Sequence, residues 1–73
     1  MGRILKKKIT SSSTIASIQF DVKKEELRIK FLSGDTYKYS KVPFKTYMGL
    51  SHAGSAGKYL WKHIRNKFST VKI

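Results

Sequence analysis

From Ile15 the chain alternates apolar and polar positions, with Ala16, Ile18, Phe20 and Val22 on one side and Ser17, Gln19 and Asp21 on the other. A period of two over this length predicts a half-buried β-strand. Lys23-Lys24-Glu25-Glu26 then reads as a charged turn, and alternation resumes with Leu27, Ile29 and Phe31 apolar and Arg28 and Lys30 opposed to them. Ser33-Gly34-Asp35 punctuates a second hairpin, and Thr36-Tyr37-Lys38-Tyr39-Ser40-Lys41 is the third strand.

A register follows, because a slip of one residue would turn a whole strand over. A four-residue loop at 23–26 pairs Val22 with Leu27, Phe20 with Ile29 and Ile18 with Phe31, and sets Asp21 beside Arg28 and Gln19 beside Lys30. A three-residue loop at 33–35, with Gly34 supplying a positive φ, opposes Phe31 to Tyr37 and Ile29 to Tyr39. Lys30 and Lys38 would then be cross-strand neighbours, an arrangement of like charge that costs stability unless an anion bridges it or the two side chains splay into water.

Val42-Pro43 breaks the strand pattern, and Pro43 suits the first position of a helix. Phe44, Tyr47 and Met48 recur at helical spacing, and His52-Ala53-Gly54 ends that segment. Ser55 is a good N-cap for a second helix from Ala56 to about Phe68, with Leu60, Trp61, Ile64 and Phe68 on its apolar side. At 100° per residue, Lys58, Lys62 and Arg65 form a separate stripe within about 60°.

These elements predict an α+β fold, βββαα: a three-stranded antiparallel meander with two helices packed on its apolar face. Ile18, Phe20, Ile29, Phe31, Tyr37 and Tyr39 should meet Phe44, Tyr47, Met48, Leu60, Trp61 and Ile64. Residues 1–13 read as a flexible basic arm, 14–70 as a single domain and 71–73 as a tail, either frayed or a short edge strand.

Composition sharpens the picture through charge. Sixteen Lys and Arg face four acids in 73 residues, and all the acids lie at or before Asp35, leaving eight basic residues and no acid from Thr36 onward. Such a half repels itself unless a polyanion or an acidic surface approaches. With no cysteine, neither a disulfide nor a thiolate metal site is available. The opening MGRILKKKIT lacks the apolar run of a signal peptide and Lys6 stands where myristoylation needs Ser or Thr, so a cytoplasmic protein without a membrane anchor is expected.

Catalytic chemistry finds little support: three of the four carboxylates fall in turns, and Asp21 has Arg28 as its expected partner. His52 and His63, eleven residues apart with no acid or cysteine near them in sequence, are a poor metal pair. Gly54-Ser55-Ala56-Gly57-Lys58-Tyr59 departs from a Walker loop in the spacing of its glycines and in Tyr59 after the lysine. It could hold a single phosphate, or Gly57 could simply let helices pack closely. Trp61 reads as a core residue before a base-stacking one.

Taken in order, Ser12-Ser13-Thr14-Ile15-Ala16-Ser17-Ile18, Phe20-Asp21, Gly34 with Tyr37-Lys38-Tyr39, Val42-Pro43, Tyr47, Leu50, Ser55-Ala56-Gly57-Lys58-Tyr59 and Ile64-Arg65 resemble the KTSC domain. That family takes its name from the C-terminus of some lysyl-tRNA synthetases and also occurs as free-standing small bacterial or phage proteins. The resemblance spans residues 12–68 and implies a small domain suspected of binding RNA, with no enzymatic activity attached. Gln19, where a small residue is usual, and the basic arm depart from the pattern.

The expectation is a non-enzymatic, monomeric RNA-binding module without cofactor or metal. Phosphates would meet Lys30, Lys38 and Lys41 on the sheet side, Lys58, Lys62 and Arg65 on the last helix, and Arg3, Lys6, Lys7 and Lys8 in the arm. The alternative partner is an acidic protein surface, as for a phage-type regulator docking on a host machine such as RNA polymerase.

Overall fold

The computed structural model describes residues 3–10 and 12–73. Among the described residues there are five strands: β1 (Ile4–Lys8), β2 (Ile15–Asp21), β3 (Glu26–Phe31), β4 (Thr36–Tyr39) and β5 (Thr70–Lys72). They form one antiparallel sheet in sequence order. Between β4 and β5 come α1 (Phe44–His52) and α2 (Ala56–Tyr59), which runs on into a π-helical segment, Leu60–Ile64. The architecture is α+β as expected, with five strands in place of three. No helix among the described residues is long and apolar enough to cross a membrane.

Of the two added strands, one comes from the arm, which was expected to lie outside the sheet, and the other from the tail, for which a frayed end and a short edge strand were both open. Residues 4–8 of the basic arm pair along β2, with Leu5 opposite Phe20 and Lys7 opposite Ile18. The inward sequence Leu5, Lys7, Ile9 is therefore an alternation disguised by a lysine. Its cost is met because the Lys7 ammonium donates to the Ser51 carbonyl in the last turn of α1, where unsatisfied carbonyls favour a cation. At the opposite edge Val71-Lys72 pairs with β4, settling the tail as a short edge strand. Both edges carry lysine, which discourages pairing with a further chain.

Within the meander both registers lie two residues from those expected. Phe20 faces Leu27 and Ile18 faces Ile29 across a loop at 22–25, and Ile29 faces Tyr37 across a loop at 32–34 in which Gly34 has φ 101°. An even shift keeps every side chain on its face, which is why the core expectation survives it. A bulge between Ile15 and Ser17 breaks the alternation of β2, so that Ile15 is buried where Ala16 was expected.

The core lies between the sheet and the helices, with Phe20, Ile15, Ile18, Leu27, Ile29, Leu50, Ile64 and Val42 fully enclosed. Burying each such side chain is worth about 1.5–3 kcal/mol relative to exposing it. Phe20 stacks on Tyr47 at 5.0 Å between ring centroids, joining β2 to α1. Burial pushes the Tyr47 hydroxyl above its usual pKa. Gly49 lets the chain pack closely, because a Cβ there would overlap the Tyr59 ring of α2. Two expected core residues stay outside: Phe44 is 46% exposed and Trp61 is 65% exposed.

Candidate nucleic-acid interface

Pairing sorts the sheet's outer face into rows. One runs Lys6, Gln19, Arg28, Lys38 and Val71, and the next Lys8, Ser17, Lys30 and Thr36. Five cations thus share a surface whose other members are mostly small or uncharged. Its two acids, Asp21 and Glu26, face each other near the β2–β3 turn. Asp21 Oδ1 accepts the Lys23 and Lys24 backbone N–H groups at 3.0 and 3.1 Å, and Glu26 lies 3.9 Å from the Lys38 ammonium.

Arg28 differs most from expectation. The two-residue register shift takes it away from Asp21 and sets it between Gln19 and Lys38. Lys30 faces Ser17 and Thr36 in place of Lys38, so the juxtaposed cations are Arg28 and Lys38. Arg28 is a candidate phosphate ligand that sequence reasoning missed, because its role hung on the loop position.

The remaining expected ligands scatter. Lys7 turns to the helix side and is committed to Ser51. Arg3 precedes β1 and extends the ladder through its carbonyl, which accepts the Val22 N–H at 2.9 Å. Lys41, exposed and with φ 57°, sits on the connection to α1, outside these rows. Lys58 and Lys62 are exposed on α2 and the π-helical segment, on the helix layer. Arg65 is not helical at all: the chain leaves the helix there, with φ −59° and ψ 132°, so the expected stripe of Lys58, Lys62 and Arg65 is broken.

Where Arg65 goes instead defines a second surface. Its guanidinium lies 3.6 Å from the centroid of the Trp61 ring, a cation–π contact. The π-helical turn, closed by the Arg65 N–H on the Leu60 carbonyl at 2.7 Å, carries both residues outward. They stand over a groove of about 590 Å³ between the end of the helix and β4, lined also by Phe31, Tyr37, Tyr39 and Leu60. Phe31 and Tyr37 meet edge to face at 5.6 Å. Tyr39 has its pKa raised, mainly by burial and then by Tyr37, while Arg65 opposes the shift. Asp35 lies on the rim, 3.4 Å from the Lys72 ammonium.

A smaller polar cleft adjoins the groove and shares Ser13, Thr14, Gly57 and Trp61 with it, adding Ser12, Ser55 and Lys58. Ser12 Oγ accepts the N–H groups of Thr14 and Ile15 at 3.1 and 3.2 Å, folding this segment into a tight turn. The turn packs on Gly57, where a Cβ would stand 3.2 Å from Ser12 Oγ. Gly57 therefore serves close packing, against the Ser12 turn of the polar run and not against a helix. Ser55 Oγ accepts the Lys58 N–H at 3.5 Å, so one of the N–H groups that a phosphate would need is already engaged.

A two-layer α+β domain of this size, with a cationic sheet face and an aromatic groove at one edge, is the class the geometry defines. The chain belongs to the KTSC domain family, whose model matches residues 11–68. It is 38% identical over 61 residues to a lysine–tRNA ligase of Nostoc punctiforme, a match covering 84% of this chain and 11% of the ligase. A crystal structure of a KTSC domain protein from Yersinia pestis superimposes with a TM-score of 0.90 at 31% identity, covering 97% of this chain and 99% of that one.

Proposed function

We propose that this chain is a small, non-enzymatic RNA-binding module that holds phosphates on the open face of its sheet. The observation that carries the reading is the gathering of Lys6, Lys8, Arg28, Lys30 and Lys38 on that face, with Arg28 and Lys38 directly opposed. Opposed like charges cost stability in the free protein, and a bound phosphate removes that cost. Similarity to a segment of a lysine–tRNA ligase suits a tRNA or another structured RNA as the partner. Phosphates running across a cationic sheet face are held without reading base sequence.

Binding of a tRNA, followed by fluorescence anisotropy across a salt series, tests this. Affinity is expected to fall steeply as salt rises, and a slope near zero would sink the proposal. Capture of a stoichiometric protein partner that survives nuclease treatment would favour docking on an acidic protein surface, such as that of RNA polymerase.

A further inference from the structure

The groove beside β4 has a chemistry the open face lacks. We infer that it receives an unpaired nucleobase of single-stranded RNA, while the adjoining Ser12–Thr14 and Lys58 cleft receives that nucleotide's phosphate; this rests on the RNA-binding reading.

Trp61 is the first observation: a tryptophan exposed to 65% forfeits most of what its burial would contribute. A π-helical turn carries it with the Arg65 guanidinium carbon over its ring, 3.6 Å from the centroid, and such turns recur at functional sites. Indole and guanidinium are the two kinds of planar surface on which unstacked bases lie in protein–RNA complexes. The groove continues inward over Phe31, Tyr37, Tyr39 and Leu60, and its volume of about 590 Å³ lies within the range of small-molecule sites.

Polar groups are placed where a nucleotide needs them. Asn66 and Asp35 line the groove and can pair with donors and acceptors on a base edge. Ser13, Thr14 and Lys58 line the adjoining cleft, which is continuous with the groove through Gly57 and Trp61. Lys58, exposed beside the hydroxyls, and Arg65, at the mouth, are complementary to a phosphodiester. A base in a duplex cannot enter, because its faces are covered by its neighbours. The site therefore distinguishes single from double strands, whereas the open sheet face does not.

Trp61 is the only tryptophan in the chain, so its fluorescence reports on the groove directly. The test titrates the protein with a single-stranded oligonucleotide, a duplex of the same length and inorganic polyphosphate. Trp61 quenching by the single strand alone is expected. Labelled-RNA anisotropy should then show Trp61→Ala and Arg65→Ala weakening single-strand binding about tenfold or more while sparing the duplex, and Lys30→Gln weakening both. Trp61 is solvent-facing, so its removal leaves the core intact, and an unchanged circular dichroism spectrum verifies that. RNA binding without Trp61 quenching, or equal loss of both RNA forms in Trp61→Ala, overturns the inference and leaves the RNA-binding reading standing. Absence of all RNA binding overturns both. Quenching by polyphosphate as strong as by RNA assigns the groove to anions and overturns the base.

Discussion

Replacing Lys8 and Lys30 together by glutamine tests the proposed phosphate surface most sharply, because the two lysines flank Ser17 from the strands on either side of it and both are exposed. The open face holds five cations, of which Lys38 is partly neutralised by Glu26 at 3.9 Å, leaving Lys6, Lys8, Arg28 and Lys30 to release counterions. Four phosphate contacts predict a slope of log affinity against log salt of about −3.6 on a duplex. Between 50 and 200 mM salt the wild-type protein should lose roughly 150-fold in duplex affinity, and the double variant, with half the contacts, only about 12-fold. The assay is anisotropy at four or more salt concentrations, with exposed Lys45 on α1 changed to glutamine as the control. Both substitutions are at the surface, so stability should move by no more than about 0.5 kcal/mol in each case. An unchanged slope in a folded double variant, or an equal drop in the Lys45 control, would refute the assignment of phosphates to the open face.

Other expectations follow from individual contacts. Arg28→Gln should weaken RNA binding yet leave the fold as stable or more so, by about 0.2–1 kcal/mol in urea melts, because the opposition to Lys38 is relieved. Lys7→Met should do the reverse, lowering stability by about 1 kcal/mol through loss of the bond to the Ser51 carbonyl, with RNA affinity little changed. Gly49→Ala should cost about 1–3 kcal/mol from overlap with the Tyr59 ring. In a Tyr59→Leu background the same change should be neutral or favourable, since alanine is the better helix former. The raised pKa values of Tyr39 and Tyr47 mean that the folded state keeps these protons longer than the unfolded chain does. Their stabilising contribution is fully present below pH 10.0 and is lost as pH climbs through the folded values. Arg65→Ala should push Tyr39 higher still, readable as tyrosinate absorbance in an alkaline titration.

The inner and outer faces of the meander were legible because side-chain direction has a period of two, and this tolerates an even error in register. Lys30 and Lys38 remain on the outer face whichever loop is chosen, but whether they touch depends on whether three loop residues begin at 32 or at 33. Hairpin composition there, Leu32-Ser33-Gly34-Asp35, allows both. The choice falls to packing of Tyr39 on Leu27 and to pairing with β5, neither of which is local. Arg65 was misplaced for a related reason: a uniform helical turn angle out to Phe68 cannot anticipate a π-helical segment that ends at Ile64, after which the chain leaves the helix.

What the residues determined by themselves is the alternation of the three central strands, the break at Val42-Pro43, the cap at Ser55 and an excess of positive charge, all properties set within a few neighbouring positions. Only the tertiary structure decided that the arm and tail complete the sheet, that Lys7 turns inward to a helix end, and that Arg28 joins the cationic face. Only there, too, does Tyr37 prove to line a groove with Trp61 and Arg65. Each of these depends on which distant segment arrives alongside. Pairing energy between strands far apart in sequence is invisible to any local pattern, and a lysine's role is set by the partner that its long side chain finds.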